Sequence, residues 1–126
     1  MVNVAKHIEY WKQSAGEDLV VAGELVEKGR YRHGLFFMHL TLEKLLKAHV
    51  CKSTNALAPK IHNLRRLAEL ARLNLSEEFI DVVADMNDYN LEGRYPEAPL
   101  APISESQGRQ DMRRGTEVFE WLMKQL

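Results

Sequence analysis

The sequence holds a single cysteine, Cys51, among its 126 residues, so no disulfide can form within the chain. That usage fits a reducing compartment. Long apolar runs are missing as well. The longest, Leu35 to Met38, falls far short of the roughly 20 residues that a membrane-spanning helix needs. Residues Met1 to His7 carry no apolar core of a secretory signal, and the chain is expected to be cytoplasmic and away from membranes. Nor is there an excess of charge of one sign. Seventeen Lys and Arg stand against 18 Asp and Glu, a net charge of −1. A whole-surface pull toward nucleic acid or anionic lipid is thereby excluded, and only a local patch could act that way.

Strand patterning is absent too, since no stretch alternates apolar and polar residues for long. There is no phosphate-cradling glycine loop, no Ser-His-Asp or Cys-His signature, and no His pair spaced for a metal beside a carboxylate. No catalytic residue, metal ligand or resident cofactor is therefore assigned, and a nucleotide is the small ligand to be expected.

What the sequence does contain is helical periodicity. Val4, Ile8, Trp11, Ala15, Leu19, Ala22 and Val26 recur every three or four residues and predict a helix over about 3–28. Asn3 suits its N-cap and Gly29 its C-terminal stop, while Gly16 and Gly23 offer places for a close helix approach. From Arg32 to Lys52 apolar residues cover most of the helical circumference, which predicts a helix buried on several sides. Its apolar surplus, with part of a later helix, is expected to form a subunit interface. A short helix follows over about 62–72, then one from a Ser76 cap to about Asn90, its start favoured by Glu77 and Glu78. Pro96, Pro99 and Pro102 exclude a continuous helix over 93–104. A last helix, about 105–126, carries Met112, Gly115, Phe119, Leu122 and Leu126. The expected architecture is a single all-α domain over 1–126, an up-and-down bundle of four to five helices.

Two constellations stand out against this frame. On the apolar second helix the polar residues fall on one line, His39, Glu43 and Lys47 at i, i+4 and i+8, with Lys44 beside them. The line reads equally as a Glu43–Lys47 ion pair on a solvated edge or as one wall of a polar groove. The second is Tyr89 to Glu97, where Arg94 lies between Tyr89 and Tyr95. An arginine there suits a phosphate, and the tyrosines suit a base; the alternative is helix capping by Arg94 and packing of the tyrosines. His62 reads as a residue of a helix's first turn.

Several segments in order resemble one family. Asp18-Leu19 through Gly29-Arg30-Tyr31, the run Phe36-Phe37-Met38-His39 through Glu43-Lys44 to Lys47-Ala48, Pro59 with His62, Leu64 and Leu67, and Tyr89 with Arg94-Tyr95-Pro96 follow one another as in the HEPN domain (higher eukaryotes and prokaryotes nucleotide-binding). The resemblance spans nearly the whole chain. It implies a helical bundle, commonly a homodimer with a polar cleft, and often a partner minimal nucleotidyltransferase in a toxin–antitoxin-like pair. Other members are metal-independent RNases marked by an Arg, four to six residues and a His on a late helix. Here no histidine follows His62, and His39 stands where a glutamine is frequent. The one formal match, Arg32 to His39, sits at the entry of the second helix. The resemblance therefore places the chain in a subgroup without the RNase Arg–His motif. It implies a nucleotide- or partner-binding site of His39, Glu43, Lys44, Lys47, His62, Tyr89, Arg94 and Tyr95. The alternatives are an endoribonuclease toxin acting on RNA and a helical dimer that serves only in assembly.

Overall fold

A computed structural model describes residues 3–91 and 101–126. Five helices follow in order: α1 (Val4–Glu27), α2 (Tyr31–Thr54), α3 (Leu64–Leu70), α4 (Glu77–Asn87) and α5 (Glu105–Gln125). The described residues contain no strand, and the fold is an all-α bundle. No described helix is long and apolar enough to cross a membrane.

Four of the helix starts share one device. Asn3, Asn63, Ser76 and Ser104 each turn a side-chain oxygen onto the backbone N–H three residues on, satisfying a donor that the first turn leaves free. Asn63 rather than His62 is therefore the start of the third helix. That helix is shorter than expected at both ends, because Arg72 adopts φ 57° and Leu73 N–H bonds back to the Ala68 carbonyl. The fourth helix also stops early, at Asn87. α1 ends as its glycine suggests: Gly29 takes φ +79°, and Arg30 N–H closes onto the Leu25 carbonyl.

The turn at Gly29 folds α1 and α2 into a hairpin that makes the most extensive helix pairing of the molecule. The close approach is at Gly34 of α2, not at Gly16 or Gly23. A Cβ on Gly34 would lie 2.7 Å from Val26 Cγ2 and 3.1 Å from the Ala22 carbonyl, whereas one on Gly16 would meet nothing within 4 Å.

α5 packs across another side of α2, and α3 and α4 cover the rest. Leu35, Met38, Leu42, Leu45 and Leu46 are completely buried. α2 is thus the centre of the bundle: helices of the same chain cover most of its apolar surplus, and only Phe36, Phe37 and Leu40 stay partly exposed for the subunit interface expected there. Among the described residues the large apolar side chains left exposed are Tyr10 and Val20 of α1 and Leu57 of the loop after α2.

Polar side chains of α2 also hold the end of α5. His49 Nε2 donates to the Leu122 carbonyl at 2.8 Å, and Lys52 Nζ donates to that of Gln125 at 2.8 Å. Both are last-turn carbonyls, which a helix cannot satisfy by itself. Burial pushes the pKa of His49 down, against the opposing effect of its bond to Leu122.

Candidate functional site on the polar seam of the central helix

The seam of α2 is built around Glu43. Positions 39, 43 and 47 stack on one face of a helix. Glu43 is only 6 % exposed, as is Lys47, and His39 is 1 % exposed, so the line is no solvated edge. Lys47 Nζ lies 3.1 Å from Glu43 Oε2. From the loop before α3, His62 Nδ1 approaches both carboxylate oxygens at 3.1 Å. His39 Nε2 stands 3.3 Å from Oε1, within ion-pair range but off the hydrogen-bond direction. Burial by itself pushes the Glu43 pKa up. The imidazoles of His39 and His62 and the charge of Lys47 outweigh it and take the pKa from 4.5 down to about 2.

The other ring nitrogen of His39, Nδ1, donates to the Met86 carbonyl of α4 at 3.2 Å. Nε2 has no hydrogen-bond partner among the described residues, but the ring is almost fully enclosed, so burial keeps that nitrogen from a substrate. Asn87, the next residue, accepts from Leu64 N–H at 2.9 Å and joins α4 to the start of α3.

Lys44 leaves this group. It turns to α1, where it pairs with Asp18 at 2.7 Å and donates to Ser14 at 2.8 Å. Tyr89 belongs to a second cluster, on the far side of α4. Its hydroxyl donates to the buried Asp111 of α5. Arg114 bonds Asp111 at 3.0 Å and reaches Asp85 of α4 at 2.8 Å. Burial, then the bond to Asp111 and its charge, raise the Tyr89 pKa. Arg32 stays near this cluster and donates to the Ala101 carbonyl. It shares the face of His39 two turns earlier, about 10 Å along the axis by helical rise. Arg94 and Tyr95 lie outside the described residues.

Of the residues singled out in the sequence, the structure thus brings together His39, Glu43, Lys47 and His62. Lys44 and Tyr89 are directed elsewhere. Sequence reasoning missed the outer neighbours of Lys47. Trp11 lies with its ring centroid 5.3 Å from Lys47 Nζ, a cation–π distance. His7, Lys60 and the apolar Leu57 and Pro59 complete a groove of about 250 Å³ there. Trp11 had been read as part of the core stripe, and only the loop after α2 reveals its other face. Among the described residues no cluster of three or more His, Cys, Asp or Glu side chains is arranged to hold a metal ion.

The helix order and the seam define a class. The HEPN domain model matches residues 8–126, and the chain belongs to the HEPN domain family. Solved structures agree with that fold. The crystal structure of TT1696 from Thermus thermophilus superposes with a TM-score of 0.77 at 18 % identity, covering 94 % of this chain and 98 % of that one. ST0689, an archaeal HEPN homologue, gives 0.74 at 17 % identity, covering 94 % and 96 %. No curated protein matches the chain.

Proposed function

We propose that this chain is a non-catalytic HEPN protein that binds a nucleotide, a minimal nucleotidyltransferase partner, or both, in a toxin–antitoxin-type relation. The supporting observation is how the seam uses its charges. His39 is enclosed, with Nδ1 bonded to Met86, so the Arg32–His39 pair presents no accessible base that could move a proton on a substrate. Lys47, at the outer end of the seam, instead lines an open groove beside Trp11 and Lys60. A cation next to an aromatic wall suits a phosphate-bearing ligand or an anionic partner surface.

Calorimetric titration with ATP and other nucleotides, of the chain alone and with a nucleotidyltransferase encoded beside it, tests this reading. Saturable heat in either format is expected; its absence in both overturns the proposal and leaves a helical assembly unit. The endoribonuclease reading draws on Arg32 and His39 sharing one face of α2. It requires RNA cleavage by the purified chain that disappears in His39→Ala, and no cleavage is the expected result.

A further inference from the structure

Two grooves run along the outer side of α1 and share His7 and Trp11. The first, about 250 Å³, has Leu57 and Pro59 as its apolar side and carries Lys47 and Lys60. The second, about 440 Å³, adds Lys6 and Tyr10, which is 60 % exposed and packs edge-on against Trp11. Among the described residues neither lining includes a carboxylate; close by are Glu43, paired with Lys47, and Glu17, in a neighbouring groove that shares Tyr10. Lys47 is balanced by Glu43, but among the described residues Lys6 and Lys60 form no ion pair. The indole nitrogen of Trp11 is buried and has no hydrogen-bond partner among the described residues.

An apolar, aromatic-walled groove with two uncompensated lysines and no acid is complementary to a flat ring with a negative charge. Size narrows the class. At about 250 Å³ the first groove is smaller than the roughly 300–1,000 Å³ of sites for drug-sized ligands, so it accepts one ring system. Anything attached to that ring extends past His7 into the second groove. We propose that the paired grooves form a binding site for a flat aromatic ring bearing an anionic group, with the ring between Trp11 and the Leu57–Pro59 wall and the anion near Lys60 or Lys6. The ring and charge can come from a free aromatic acid or from the base and phosphate of a nucleotide. The site rests on the same groove as the nucleotide reading, and titrating benzoate beside AMP tells the failure of one from the failure of the other.

The chain has two tryptophans, and Trp121→Phe leaves Trp11 as the only one. Trp11 emission in that variant is followed during titration with benzoate, with uncharged benzyl alcohol and with AMP. Benzoate is expected to give a saturable change and benzyl alcohol a weaker one. Lys60→Glu, a change on an exposed side chain, should weaken benzoate binding about threefold or more through charge reversal. AMP that competes with benzoate identifies a nucleotide as one source; benzoate binding without AMP binding identifies a free aromatic acid. The site is overturned if benzoate gives no saturable change, if it binds no better than benzyl alcohol, or if neither Lys60→Glu nor Lys6→Glu weakens its binding. AMP binding that benzoate does not compete with overturns it too, while leaving the nucleotide reading in place.

Discussion

Glu43 shows how one carboxylate can be a stability element and a site element at once. Its pKa of about 2 in the folded chain lies below the unfolded value near 4.5, so folding favours the ionised form. The stabilisation is complete above pH 4.5 and is lost as pH falls toward 2, a contribution of about 3 kcal/mol for a side chain this buried. Glu43→Gln should cost about 3–5 kcal/mol at neutral pH, because Lys47 is left as a buried, uncompensated charge. The gap between wild type and variant in urea unfolding should then narrow by about 3 kcal/mol between pH 4.5 and 2. A gap that does not change with pH would remove Glu43 as the titrating group. The seam itself was legible from the i, i+4, i+8 spacing. Its burial was not, since periodicity marks a face without saying what covers it. His62 comes from a different segment, and only the packing of the loop onto α2 brings it to Glu43. Asp111 was hidden for another reason. Met112 and Phe119 mark the apolar face of the last helix and pack partly buried against the core, but the fully buried line runs Gly108, Asp111, Gly115, Val118, Leu122, one position earlier than those two.

Among the elements, the α1–α2 hairpin depends on Gly34 more than on any glycine of α1. Gly34→Ala would gain about 1 kcal/mol of helix propensity but would drive a methyl group against Val26 and the Ala22 backbone. Backbone on one side and a stiff β-branched residue on the other leave little room to yield, so a net loss of about 1–3 kcal/mol is expected in denaturant unfolding. A neutral or stabilising result would show that the helices can move apart at little cost. The elements were mostly readable in advance. α1, α2 and α5 agree with their periodicity to within two residues at each end, helped by caps at Asn3 and Ser104. α3 also falls within two residues at each end, and α4 alone stops about three residues early; both C-terminal ends are set by local closure. The left-handed Arg72 has no glycine to announce it, and nothing in the sequence near Asn87 signals a stop.

At the scale of the whole molecule, the covering of α2 changes where a second copy could bind. We propose a homodimer that uses the part of α1 around Val20, which is 60 % exposed and lies outside the grooves at His7 and Trp11. Light scattering should give twice the 14.5 kDa of one chain, and Val20→Glu should return the monomer mass. A monomeric wild type, or a dimer indifferent to Val20→Glu, would sink that proposal. The clamp of His49 and Lys52 on the last turn of α5 bears on a different matter, the order in which the chain is made. These bonds bridge 73 residues of sequence, while the α1–α2 hairpin closes through a short turn. During synthesis the hairpin can form early, but the side of α2 that α5 covers stays bare until α5 has emerged. The nascent chain is thus most exposed to proteases and chaperones in the interval between the hairpin and α5, and the docking of α5 is the step that seals its core.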